Sequence, residues 1–100
     1  MGPVEVLIVD DQAWFRHLVR SLIESQSEYR VCGEAGDGIE AVEKVYQLHP
    51  DLVLMDINMP RMDDLKATRL IRRESPDCNV IIVTQNDARI AREQARSVKR

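Results

Sequence analysis

Residues 52–60 read LVLMDINMP: four apolar residues run directly into an aspartate, Asp56, and a proline follows at position 60. An unbroken apolar run of this kind is typical of a strand that is buried on both faces, because a half-solvated strand alternates apolar and polar residues. A carboxylate at the rim of a core is costly unless something uses it. The stretch therefore predicts a buried strand that delivers a working carboxylate to its end.

Working outward from this strand, short apolar runs alternate with helical periodicity along the whole chain. Further strands are predicted at 4–9, 29–34 and 80–84, and helices at 14–23, 39–46, 65–73 and 87–97. The order βαβαβαβα with continuous apolar strands predicts an α/β fold, a doubly wound parallel sheet with helices on both faces. In such sheets ligands bind at the carboxyl ends of the strands, where the winding direction reverses.

Length and composition limit what else the chain is. Its 100 residues allow one domain with one core. The longest apolar runs, LVLM and VIIV, are far shorter than the roughly 20 residues of a membrane span, so we expect no membrane association. Cys32 and Cys78 match no metal or redox spacing, and we expect reduced thiols in a cytoplasmic protein.

Charge is distributed unevenly. Residues 1–60 hold 4 basic and 11 acidic side chains, whereas residues 61–100 hold 10 basic and 6 acidic ones. A basic segment is one feature of chains that bind nucleic acid. This segment has no aromatic residue and no recognisable reading motif, so we expect no direct nucleic acid binding by this chain.

Three of the four predicted strands end in polar residues at one edge of the sheet: Asp10 and Asp11 (the acid pair), Asp56, and Thr84. Each alone has a plain structural role, such as capping the next helix. Three converging carboxylates, however, repel one another unless a cation lies among them, and oxygen ligands of this kind suit Mg²⁺. A carboxylate beside Mg²⁺ can attack phosphorus and form an acyl phosphate. We expect Asp56 to be that nucleophile and the Thr84 hydroxyl to contact a phosphoryl oxygen.

The motifs around these residues resemble the receiver domain of bacterial response regulators. The resemblance rests on VLIVDDQ at 6–12, Arg16, GEAGDGIEAVE at 33–43, PDLVLMDINMPRMD at 50–63, ATRLIRRESP at 67–76 and VIIVT at 80–84. The sequences of these motifs are most similar to those of the branch with a helix-turn-helix DNA-binding output domain, which regulates transcription. Almost the whole chain takes part in the resemblance.

This resemblance implies a flavodoxin-like sheet of order 2-1-3-4-5, a sensor histidine kinase as phosphodonor, and Mg²⁺ as cofactor. It implies that Asp56 accepts the phosphoryl group and helps to hold the metal, with Asp11 as the main ligand and Asp10 as a ligand through water. It also implies a backbone carbonyl ligand from Asn58 and a switch hydroxyl from Thr84. Such a domain assists only its own phosphotransfer and dephosphorylation, and is not otherwise an enzyme.

The chain departs from the family pattern in two places. Residues 1–100 end near the fourth helix, which predicts a receiver domain of strand order 2-1-3-4 without the fifth strand and fifth helix. Lys99 lies too close to Thr84 in sequence to be the family's lysine and is not assigned that role. Asp64 stands where the family usually has a glycine, which allows a positive φ that Asp tolerates better than most residues.

Other functions stay open at this point. A degenerate receiver without its lysine would be a phosphorylation-independent protein-interaction module. A Mg²⁺-dependent phosphatase with a strand-end nucleophile would need a second acid where this chain has Asn58. Without a fifth strand and fifth helix, the fourth strand or the terminal helix would expose apolar surface. Such surfaces pair between chains, which favours a homodimer. His17 and His49 are expected at the surface, and Trp14 in the core or at its rim.

Overall fold

Strands and helices alternate through residues 2–56 and 62–83, the part of the chain that the computed structural model describes, with only the backbone of Asp56, Met62 and Asp63. In chain order they are β1 (Val4–Val9), α1 (Ala13–Glu24), β2 (Tyr29–Ala35), α2 (Gly38–Leu48), β3 (Leu52–Asp56), α3 (Met62–Glu74) and β4 (Asn79–Val83). The predictions for Asn58, Thr84, Lys99 and a helix at 87–97 lie outside the described residues.

The four strands form one parallel sheet in the order β2-β1-β3-β4, which confirms the predicted order 2-1-3-4. From β1 the chain winds to β2 on one side and then crosses back to β3 on the other. The reversal therefore lies between β1 and β3, where Val9 is paired with Met55. Between β3 and β4, Asp56 is paired with Val83.

The core lies on both faces of this sheet, as the continuous apolar strands predict. On one face, side chains of β1 and β3 such as Leu7 and Val53 pack with Val45 of α2 and Ile71 of α3. On the other face, Ile8 and its neighbours pack with side chains of α1. Each fully buried aliphatic side chain stabilises the fold by roughly 1.5–3 kcal/mol.

Helix α2 is bounded by residues whose chemistry stops a helix. The Asp37 carboxylate accepts a hydrogen bond from the Glu40 N–H at 2.8 Å, and the Glu40 carboxylate accepts one from the Gly36 N–H at 2.8 Å. The first contact satisfies an N–H group that the first turn of the helix leaves without a partner, and the second fixes the residue before the N-cap. At the other end His49 adopts a left-handed conformation with φ of 50°, and Pro50 follows, which disfavours continuation of the helix.

Helix α3 begins earlier than its apolar periodicity predicts, at Met62 rather than Leu65. Asp64 is therefore a buried helical residue. Among the described residues His49 is the only non-glycine with a positive φ, so the interpretation of Asp64 as a left-handed loop residue is wrong.

Helix α1 packs on the sheet without burying any of its residues fully. Trp14 is 62% exposed and Leu22 is 63% exposed, so the prediction that Trp14 packs in the core or at its rim is wrong. His17 and His49 are exposed, as predicted. No helix in the described part of the chain is long and apolar enough to cross a membrane.

Both cysteines are free thiols, as predicted. Cys32 is half-buried in β2, whereas Cys78 is buried just before β4. Burial raises the pKa of the Cys78 thiol to about 11, which keeps it protonated and unreactive at neutral pH.

Candidate functional site

The carboxyl ends of β1 and β3 lie side by side where the sheet reverses its winding. Val9 and Met55 are paired across these strands, and Asp10 and Asp56 are the next residues along. The backbone thus brings the acid pair and Asp56 to one edge of the sheet. The side chain of Asp56, and all of Asn58 and Thr84, lie outside the described part of the structure, so their roles remain predictions.

Asp10 is held tightly by its surroundings. It is only 3% exposed. Its N–H donates to the carbonyl of Ala35 in β2 at 3.0 Å, and its carbonyl accepts a hydrogen bond from Nη1 of Arg16 at 2.6 Å. Its Oδ1 accepts a hydrogen bond from the Gln12 N–H at 2.7 Å. The side chain therefore shapes the turn that leads into α1.

The electrostatics of the acid pair favour a cation. Burial raises the pKa of Asp10, and although the hydrogen bond from the Gln12 N–H opposes this effect, the nearby charge and side chain of Asp11 add to it. Asp11 itself is exposed. A cation between the two carboxylates would offset both the cost of burying the charge of Asp10 and the repulsion between Asp10 and Asp11.

The donor atoms of the acid pair fit Mg²⁺, because carboxylate oxygens at a site open to water are the ligands that this ion prefers. Two carboxylates are too few for a complete set of protein ligands. Within residues 2–56 and 62–83 no cluster of three or more His, Cys, Asp or Glu side chains could hold a metal. Any third carboxylate must therefore come from outside the described side chains, and the predicted one is Asp56.

Sequence reasoning missed Glu34, the penultimate residue of β2. Its Oε1 accepts a hydrogen bond from Nε of Arg16 at 2.9 Å, and its Oε2 accepts one from Nε of Arg20 at 2.7 Å. Burial alone would raise the pKa of Glu34, but the hydrogen bonds from Arg20 and Arg16 outweigh it, so the pKa is lowered. The signal that could have revealed Glu34 is the pair of arginines one turn apart on α1, opposite an acid near the end of a strand.

Trp14 lies next to the acid pair, although it is not buried. Its indole Nε1–H donates a hydrogen bond to Oε1 of Gln12, the residue that follows the pair. Its ring contacts Phe15 edge to face, with ring centroids 5.5 Å apart. Because Trp14 is the only tryptophan of the chain, its fluorescence can report changes in this turn.

Comparison with known proteins finds similarity to one protein family. The family model described as the response regulator receiver domain matches residues 6–99. A protein-glutamate methylesterase/protein-glutamine glutaminase of Pyrococcus horikoshii is 48% identical over 73 residues, which are 73% of this chain and 20% of the relative. The response regulator protein VraR of Staphylococcus saprophyticus is 39% identical over 82 residues, 82% of this chain and 39% of the relative.

Among solved structures, the response regulator domain of Thermotoga maritima CheB is similar to this chain with a TM-score of 0.77 and 39% identity. The match covers 96% of this chain and 73% of that domain. The chain thus spans a fifth to two fifths of the two relatives named above. One of these relatives is named a methylesterase and the other a response regulator. The similarity therefore does not assign the chain to the branch with a DNA-binding output domain, and that assignment remains a prediction.

Proposed function

The chain belongs to the response regulator receiver domain family, and from this premise we propose that it is a phosphoacceptor in two-component signalling. In this proposal Asp56 accepts a phosphoryl group from a sensor histidine kinase. Mg²⁺ is held by the carboxylates of Asp10, Asp11 and Asp56 and by the backbone carbonyl of Asn58.

The observation that carries the proposal is the pairing of Val9 with Met55 across β1 and β3. It sets the acid pair and Asp56 at neighbouring strand ends on the edge where doubly wound sheets bind their ligands. The carboxylate of Asp10 lies at this edge and is buried, and its raised pKa means that a nearby cation would stabilise its charged form. A purely structural edge would gain nothing from concentrating negative charge there.

The proposed reaction is an in-line transfer. A carboxylate oxygen of Asp56 attacks the phosphorus of a phosphohistidine, a P–O bond forms, and the P–N bond breaks with its electron pair left on the histidine nitrogen. When bound, Mg²⁺ would neutralise charge on the phosphoryl oxygens. The acid pair positions that charge, and the Thr84 hydroxyl donates a hydrogen bond to a phosphoryl oxygen.

The test is phosphorylation by acetyl phosphate, followed by intact-mass measurement. We expect the wild-type chain to gain one phosphoryl group when Mg²⁺ is present and none when Mg²⁺ is chelated. Asp56→Asn should abolish the gain, because an amide is a far weaker nucleophile than a carboxylate. Asp77→Asn, at an exposed turn between α3 and β4, is the matched control and should label like wild type. Labelling that persists in Asp56→Asn would contradict the assignment.

The proposal also covers the setting of the domain. The partner is a sensor histidine kinase, the compartment is the cytoplasm, and a parent protein carries an output domain that binds DNA. The chain assists its own phosphotransfer and hydrolysis and has no other substrate.

A second candidate is a phosphorylation-independent interaction module. The observation in its favour is the outer face of α1, where Trp14, Leu18 and Leu22 are all about half or more exposed. Apolar side chains in such a row mark contact surfaces on many soluble domains. A chain that acetyl phosphate fails to label, but that stays folded, would favour this alternative.

A further inference from the structure

We propose that Glu34 is a positioning residue for the acid pair, and that it acts through Arg16. This inference rests on the proposed function, since the acid pair matters only if it holds Mg²⁺. Glu34 itself contributes no atom to the turn that carries the two acids. Its role is to hold Arg16 in the orientation in which Arg16 donates a hydrogen bond to the backbone of that turn.

The first step concerns how β2 holds Asp10. The Asp10 N–H donates to the carbonyl of Ala35, the last residue of β2. The Asp10 carbonyl accepts a hydrogen bond from Arg16, and Arg16 in turn binds the residue before Ala35, which is Glu34. Both backbone polar groups of Asp10 are therefore anchored to consecutive residues of one strand, directly in one case and through a guanidinium in the other.

The second step concerns the orientation of Arg16. Its Nε donates to Glu34 at 2.9 Å while its Nη1 donates to the Asp10 carbonyl at 2.6 Å. A guanidinium is planar and rigid, so fixing one edge fixes where the other edge points. Glu34 thus determines whether Arg16 can reach Asp10 in the geometry observed.

The third step separates this role from ordinary helix docking. Arg20 donates to the second oxygen of Glu34 at 2.7 Å and also lies 3.4 Å from Glu24, and no contact between Arg20 and Asp10 is observed. Arg20 therefore ties α1 to β2 and holds the Glu34 carboxylate in place. Arg16 is the member of this cluster that passes the constraint on to the acid pair. With Glu34 and Arg16 side chains each 21% exposed, the cluster is shielded enough for these contacts to persist.

The test measures Mg²⁺ affinity and amide exchange in the full chain. Glu34→Gln removes the charge that orients Arg16, and Arg16→Lys keeps the positive charge but replaces the rigid fork with a single ammonium group. The matched control is Arg30→Gln, which removes a cross-strand ion pair with Glu5 near the opposite ends of the same two strands. Mg²⁺ binding is followed by Trp14 fluorescence, and hydrogen exchange at the Gln12 amide is followed by NMR without metal.

We expect Glu34→Gln and Arg16→Lys each to weaken Mg²⁺ binding on the order of tenfold, as loss of a group that orients a ligand commonly does. Exchange at the Gln12 amide should accelerate severalfold in both. The double variant should be no worse than either single variant, because the two residues act in series. Arg30→Gln should stay within about twofold of wild type in both measurements, since a surface ion pair contributes little.

Wild-type Mg²⁺ affinity and wild-type Gln12 exchange in both variants would overturn the inference, as would equal losses in Arg30→Gln. If the wild-type chain itself binds no Mg²⁺, the proposed function fails, and the exchange data alone decide whether Glu34 positions the turn. If Glu34→Gln does not fold, Arg16→Lys decides the inference, because it retains the charge on α1.

Discussion

Asp10 and Glu34 are carboxylates on neighbouring strand ends, yet their surroundings shift them in opposite directions. Asp10 is buried beside another acid, which raises its pKa, whereas the hydrogen bonds from Arg20 and Arg16 lower the pKa of Glu34 despite its burial. A group whose pKa differs between the folded and unfolded chain makes stability depend on pH. The two residues should therefore leave opposite signatures on the pH dependence of unfolding.

As pH rises, Asp10 loses its proton in the unfolded chain near the ordinary pKa of 3.8, but in the folded chain only at the higher, raised pKa. The free energy of unfolding of the metal-free protein therefore falls between these two pKa values and stays lower at higher pH. Asp10→Asn removes this effect, and its side-chain carbonyl can still accept the hydrogen bond from Gln12. We expect the variant to be more stable than wild type at neutral pH without Mg²⁺, because it carries no buried charge that folding must desolvate, and urea unfolding measures the difference. The advantage should disappear below about pH 3.8.

For Glu34 the sign is reversed, because its folded pKa lies below the ordinary value of 4.5. Its contribution is present above that value and is lost as pH falls through the lowered pKa. Glu34→Gln serves as the counterpart of Asp10→Asn in the same urea series. It should be less stable than wild type at neutral pH and converge with it in acid. Parallel curves for both variants across the whole range would contradict this account.

At the scale of elements, burial distinguishes β1 from α1 more sharply than composition does. Leu7 in β1 is completely buried, whereas Leu22 in α1 is 63% exposed. Leu7→Ala leaves a cavity in the core and should lower the free energy of unfolding by ~2–5 kcal/mol. Leu22→Ala removes little buried surface and improves helix propensity, so we expect a change within about 0.5 kcal/mol.

Denaturant unfolding of both leucine variants at low protein concentration checks this contrast. The substitution is the same in both, so only the environment differs. A large cost for Leu22→Ala would mean that the outer face of α1 is covered in solution. If that cost grew with protein concentration, self-association through the outer face of α1 would be its source, and not the homodimer that is predicted to form through the fourth strand or the terminal helix.

Strands β1, β3 and β4 were predictable from the sequence because their buried parts are continuous apolar runs, such as the one that ends at Asp56, whereas β2 (Tyr29–Ala35) has no such run. The start of α3 was not, since its first turn is acidic rather than apolar; carboxylates there favour the helix dipole but carry no periodicity. The exposure of Trp14 was missed because an amphipathic pattern shows which face is apolar, not what covers it. Glu34 was missed because its role depends on Arg16, a residue distant in sequence.

At the scale of the whole molecule, the sheet order decides which chemistry is available. With β1 between β2 and β3, the acid pair has Glu34 on one flank and Asp56 on the other. Glu34 supports the acid pair through Arg16, and Asp56 is the predicted nucleophile. A ligand at this edge would therefore depend on residues of three strands, two that carry its predicted ligands and one that supports them.

Mg²⁺ bound at this edge should stabilise the folded chain as a whole, because an unfolded chain does not bring the acid pair and Asp56 together. At ten times its dissociation constant the ion should contribute about 1.4 kcal/mol, which corresponds to a rise in Tm of roughly 5–10 °C for a domain of this size. Calorimetry of the 100-residue chain with MgCl₂, against KCl at equal ionic strength, measures the difference. Asp11→Asn should abolish most of the rise because it removes the residue that is predicted to be the main ligand. A rise that survives Asp11→Asn, or that KCl reproduces, would mean that the ion acts by general screening and not at the acid pair.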